Sequence, residues 1–173
     1  MRDDLQNLSR DQLHDYIEII SKNWLAHDGL WFQAIEQDTD IKTAMKYDVA
    51  AWRKFTVIEA KRIKDFLQLS EHPGIPGLVE ALKYRIYANI NVQEIVNITE
   101  TSCDFHMNKC RVQTARSRKE LPDFPCKEVG VVEYGLFACA IDSRITTECI
   151  CCPPDPHPTN YYCGWRFTLE SEE

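Results

Sequence analysis

Apolar side chains recur every three, four or seven positions through the first half of the chain, and the period shortens after about residue 91. Leu13, Ile17, Ile20, Trp24, Trp31 and Ile35 share one helical face. Ser9 precedes that run with Gln12 three residues on, the pattern of a capping box. Asp28-Gly29 is a candidate break in this helix. A second stripe of Ile41, Met45, Val49, Trp52, Phe55, Ile63 and Phe66 starts near Asp40 and lasts to about Leu69, with Asp48 as a candidate internal cap. The segment SEHPGIPG then reads as turns, and Leu78–Ala88 as a further helix.

Beyond Asn91 the alternation is that of strands. Val96–Thr99, Cys110–Thr114, Ile145–Cys151 and Tyr161–Leu169 carry it, with a helix expected at Val129–Ile141 and a loop at KELPDFP. Helices first and a small sheet afterwards predict an α+β fold. Its N-terminal helices pack on a C-terminal antiparallel sheet with one further helix, in one domain spanning residues 1–173. A chain of 173 residues has room for a core without disulfides.

Charge and hydropathy narrow the classes of function. The net charge of −7 gives no attraction to a phosphate backbone, and the basic run Arg116–Lys119 is read as a solvated loop, so nucleic acid is excluded as a partner. The N-terminus lacks the apolar core of a secretory signal, and nothing approaches the ~18–20 apolar residues that span a bilayer. A cytoplasmic protein that avoids membranes is expected, with homo-oligomerisation left open.

Cysteine usage changes the picture most. All eight cysteines lie in residues 103–173, and four of them, with one histidine and four prolines, fall within residues 146–165. In a reducing compartment such density points to metal or redox chemistry rather than disulfides. Cys149, Cys152, His157 and Cys163 form C-x2-C-x4-H-x5-C, one residue longer than a zinc knuckle. Cys103, Cys110 and Cys126, with His106, add upstream ligand candidates. Strand alternation sets Cys149 and Cys151 on one face and Cys152 on the other, so these cysteines need a turn to share an ion. Zinc or another single metal is the first choice, unmetallated thiols the second, and an iron–sulfur cluster the third. The prolines argue against the helix start of a thioredoxin-like redox motif.

Two charged residues stand out in the helical half. Glu59 falls in the middle of the second apolar stripe, where a carboxylate needs a partner. His27, on the first stripe, is an economical one, with Arg62 as the structural alternative. The pair are candidates for a general base or ligand at a pocket.

The motifs HDGLWFQAIE, VIEAKR, CRVQTARSRKELPDFPCK, ID-R-I and CPPDPHP resemble those of a family of uncharacterised cytosolic proteins from anaerobic bacteria and archaea. Cys139-Ala-Ile-Asp142 and Cys163-Gly-Trp are similar, more distantly, to motifs of the L-2-amino-thiazoline-4-carboxylate hydrolase family. The last hairpin, with Glu148, Cys151 and Cys163-x-Trp, resembles 4-vinyl-reductase-type small-molecule-binding domains. These resemblances imply a pocket between helices and sheet, and they add Asp142 to the candidate catalytic residues. The expected activity is metal-dependent hydrolysis of a C–N bond in a thiazoline- or amidine-like molecule. The alternative is a sensor or carrier that binds a small molecule and uses its cysteines structurally.

Overall fold

Local signals explain where the helices start. In a computed structural model that describes residues 3–120 and 122–170, a short helix α1 (Asp3–Gln6) precedes the long helix α2 (Arg10–Asp38). The capping box is formed: Gln12 N donates to Ser9 Oγ at 3.2 Å and Ser9 N to Gln12 Oε1 at 2.9 Å. Asp40 caps α3 (Ile41–Phe66) by accepting from Thr43 N at 2.7 Å. Both helices run unbroken through the expected interruptions at Asp28-Gly29 and Asp48. One helical glycine costs only about 1 kcal/mol relative to alanine, too little to end a helix packed against a neighbour.

Helix α4 (Gly74–Leu82) begins earlier and ends earlier than the pattern suggests. Gly74 adopts φ 62, which suits glycine, and Pro76 lies in the first turn, where a missing N–H leaves no gap. Arg85 turns extended, and a single 3-10 turn at Ile86–Asn89 follows. The first hairpin is β1 (Val92–Val96) and β2 (Ser102–Lys109), and its closing turn passes Asn97 at φ 52. Cys110–Thr114, expected as a strand, is instead the start of α5 (Arg111–Ser117). Here Thr114 bonds back to the Cys110 carbonyl, and buried Gln113 binds both N–H and C=O of Phe124, at 2.8 and 2.9 Å. Those bonds hold a turn of helix against the β-branched composition.

Helix α6 (Lys127–Ile141) and strands β3 (Ile145–Cys151) and β4 (Cys163–Leu169) complete the α+β fold. The sheet order is β1-β2-β4-β3, antiparallel throughout. Cys103, Phe105 and Met107 of β2, and Cys163, Trp165 and Phe167 of β4, form its buried face. Helix α6 lies between that face and α3, burying Val129, Tyr134, Phe137 and Ile141. Gly130 makes the close approach possible, because a Cβ there would stand 2.5 Å from the Trp165 ring.

Helix α2 forms the outermost layer, against α3. Its expected inward stripe meets the body only in part. Trp24 stacks on Phe55 at 4.8 Å, whereas Leu13, Ile17 and Ile20 remain exposed, and Trp31 is 62 % exposed. Among the described residues, no helix is long and apolar enough to cross a membrane.

Candidate functional site

Where α2, α3, α6 and the sheet meet, the chain leaves a cavity of about 990 Å³. That lies at the upper end of the range for small-molecule sites. Sulfur, carboxylates and the basic side chains of Lys22, Lys109, Arg111, Arg116, Arg118 and Lys119 all face it. Sulfur lines the sheet end and carboxylates line the helical end.

The sulfur end is built from element termini. Cys110 is the N-cap residue of α5, Cys126 that of α6, Cys152 follows β3, and Cys163 opens β4. All four line the cavity. Lys127 N donates to the Pro153 carbonyl at 3.0 Å and Lys127 Nζ pairs with Asp155, which docks the proline-rich loop on the start of α6. The Cys126 and Cys152 sulfurs are therefore 3.6 Å apart. Cys152 also meets the Cys163 thiol, and Cys110 feels both Cys126 and Cys163.

These thiols are not equivalent. The Cys152 S–H and the Gln113 amide, the latter at 3.5 Å, both donate to Cys126 and hold its pKa below the ordinary thiol value. Its place at a helix N-terminus acts in the same direction. Cys152 is pushed far up, because its proton is shared with Cys126 and Cys163 and because it is buried. Burial pushes Cys110 up to about 12. The corner thus holds one thiol shifted down, Cys126, beside two shifted up, Cys110 and Cys152, and a bound cation would replace their protons.

The remaining sulfur candidates lie elsewhere. Cys103 is buried in the core opposite Phe167. Cys149 sits inside β3 opposite Trp165, and a bulge between Cys149 and Cys151 breaks the simple alternation expected there. Cys151 pairs with Gly164 and bonds with Tyr161. His157, a candidate fourth ligand, is turned away: its Nδ1 engages the Pro158 and Tyr161 carbonyls and its Nε2 approaches Asp123 at 3.4 Å. The C-x-x-C pair is therefore split, with Cys152 in the corner and Cys149 outside it. Among the described residues, no three His, Cys, Asp or Glu side chains already surround one point as the ligands of an ion.

The helical end corrects the pairing expected for Glu59. Its Oε2 accepts from Arg85 Nε at 3.1 Å and its Oε1 from Ile86 N at 2.8 Å. Arg85 also donates from Nη2 to Glu133 at 2.6 Å and lies over the rings of Tyr134 and Phe137. His27 is exposed beside Asp28, in the wall between α2 and α3, and takes no part. The reason is geometric: the Arg85 backbone leaves the helix and sends its guanidinium inward between α3 and α6. Burial opposes that charge, but Glu133 and Glu59 offset it and keep Arg85 protonated. With one cation for two carboxylates, burial still pushes Glu133 up.

Asp142 is also set apart. It accepts from Gly74 N at 2.9 Å and from Arg144 Nη2 at 2.9 Å, so it pins α4 to the end of α6. The Arg144 bonds hold its carboxyl well below the usual range.

Asp28 and Asp48, expected as a helix break and an internal cap, face the cavity instead. Asp28 accepts from Tyr87 Oη at 3.0 Å. Asp48 lies beside Trp52, and burial, with Asp28 and Glu133 nearby, pushes it up to about 7. A signal was present: Ala44, Asp48, Trp52, Thr56, Glu59 and Ile63 follow each other at helical spacing, so Asp48 belongs to the inward stripe. Glu133, between Val129 and Phe137 on α6, could have been found the same way.

The chain belongs to a family of unknown function (DUF6125), whose model matches residues 6–169. No curated protein matches the sequence.

Proposed function

We propose that this member of a family without an assigned activity binds a small molecule in the larger cavity and holds a thiophilic metal ion at its sulfur end. The observation that carries this reading is the Cys126–Cys152 separation of 3.6 Å at the cavity wall, with Cys163 in contact and Cys110 beside them. In a tetrahedral site with metal–sulfur bonds of about 2.3 Å, neighbouring sulfurs stand roughly 3.8 Å apart. The pair already has nearly that spacing. Zinc suits the donor set best, with an iron–sulfur cluster second.

The reaction class follows from the pairing of such an ion with one carboxylate, Asp48, that burial pushes up to about 7. When bound, the ion supplies Lewis acidity toward a substrate atom. Asp48, with its pKa near 7, accepts or returns a proton at the opposite wall. The Glu59–Arg85–Glu133 triad holds α3, α6 and the 86–89 turn in register around the ligand. Cys126, Cys152 and Cys163 as ligands would leave one coordination position facing the cavity, the open arrangement of catalytic sites; Cys110 as a fourth would close it. Hydrolysis of a C–N bond in a cyclic amidine or thiazoline is the activity we assign, supported by the sequence resemblance. The carrier reading is favoured by one feature, the commitment of Glu59 and Glu133 to a fixed cation.

The test is turnover of aminothiazoline carboxylate and related cyclic amidines by metal-loaded protein. Hydrolysis that is lost in Cys152→Ser and reduced in Asp48→Asn is expected. Bound ligand without turnover of any of them would favour the carrier.

A further inference from the structure

A second cavity, of about 310 Å³, lies between α2 and α3. Its walls carry Trp24, Trp31 and Phe32 from one helix and Tyr47 from the other, together with the carboxylates of Asp28 and Asp48. Trp31 is 62 % and Tyr47 54 % exposed, so neither ring is held there by burial in the core. Large aromatic faces left open beside a cavity mark a binding surface.

The carboxylates differ from those of the neighbouring triad in lacking a cation. Glu59 and Glu133 share Arg85, whereas Asp28 is bonded by Tyr87 and Asp48 by Trp52, both neutral donors. Among the described residues lining this cavity there is no lysine or arginine. His27, on the outer side of Asp28, is the one titratable base. Burial raises both carboxyl groups, and the charge of Asp28 makes Asp48 harder still to ionise. Two partly buried acids with no lysine or arginine beside them, in a wall shared with tryptophan and tyrosine, form an environment that is completed by positive charge.

We propose that this cavity recognises an organic cation, an alkylammonium or amidinium group, held by Asp28 and Asp48 and by the ring faces of Trp24, Trp31 and Tyr47. A hard metal ion is a poor occupant, because indole and phenyl walls offer none of the six or more oxygen ligands it needs. Asp28, Phe32 and Asp48 also line the larger cavity. A ligand whose charged end sits between α2 and α3 would therefore extend toward the sulfur corner. Only that extension rests on the reading of the larger cavity as a small-molecule site; cation recognition does not depend on the metal.

Isothermal titration of the full-length protein with choline and with benzamidinium tests this. The uncharged choline isostere 3,3-dimethylbutanol is the control. At least one cation should bind about tenfold or more tightly than the alcohol, a difference that cation–π attraction and a desolvated ion pair readily supply. Trp31→Ala and Asp48→Asn, both folded by circular dichroism, should each weaken that binding several-fold, and Cys139→Ala should not. No binding of either cation into the millimolar range, equal binding of the alcohol, or affinity unchanged in both wall variants would overturn the proposal. Failure here with metal content still dependent on Cys152 would remove the cation site alone. Cation binding in a protein that never takes up metal would remove the metal reading alone.

Discussion

Two sets of four cysteines in the same half of the chain have different surroundings, and position within an element separates them. Cys110, Cys126, Cys152 and Cys163 stand at the ends of elements and line one cavity. Cys103, Cys139 and Cys149 lie within β2, α6 and β3, and Cys151, though the last residue of β3, is held by its ladder pairing with Gly164. A side chain inside a strand or helix points where the repeat sends it. At an end, a loop or cap can re-aim it, so separate segments can deliver sulfurs to one corner. Spacing along the chain is the poorer guide. Cys149 and Cys152 form a C-x-x-C pair, yet only Cys152 reaches the cavity.

The comparison can be broken from the cavity wall inward. Arg85→Met leaves two buried carboxylates facing each other and should destabilise the fold by about 3–5 kcal/mol, read from the denaturant midpoint. A loss below about 1 kcal/mol would mean that the triad does not fix the wall on which the corner depends.

Next in size is Asp48. Its folded pKa, about 7, lies above the ordinary 3.8, so its ionisation opposes folding. The two states do not differ below pH 4. Stability falls as pH rises from about 4 to 7, where the unfolded chain has released the proton and the folded one has not, and it levels off above. Asp28, Glu133, Tyr87 and His27 are the titratable groups around it. Asp48→Asn should therefore gain on the order of 1–3 kcal/mol relative to wild type at pH 8 and nothing near pH 4. Parallel stability curves for the two proteins from pH 4 to pH 8 would contradict this.

The smallest effect belongs to the second cysteine set. Exposed Cys139 on α6 should accept alanine with a change under about 0.5 kcal/mol. A large loss would show that this set carries more than packing.

Element type was legible in the sequence wherever a long period dominated, as in α2, α3, α6 and the final hairpin. The seven residues of α5 were too short to show a period, and Val112 and Thr114 lent them a strand-like composition. The inward position of Glu59 could be read from its stripe. Its partner could not, because Arg85 stood in a segment with a helical pattern, and only the break at Lys83–Arg85 aims the guanidinium inward. For the sulfur site the sequence supplied the pool of candidates, including all four cysteines of the corner. Membership was set by the bulge in β3 and by the docking of the proline loop on Lys127, neither of which leaves a mark in residue spacing. Asp28 and Asp48 were hidden by a plausible local role as helix punctuation.

The most direct trial of the sulfur corner is elemental analysis, with an absorption spectrum, of anaerobically purified wild-type protein beside Cys126→Ser, Cys152→Ser and Cys149→Ser. About one colourless zinc per chain, or the brown absorption of an iron–sulfur cluster, should be present in wild type and Cys149→Ser and lost from the other two. Metal-free wild type after growth with both metals supplied, or full metal content in Cys152→Ser, would contradict it.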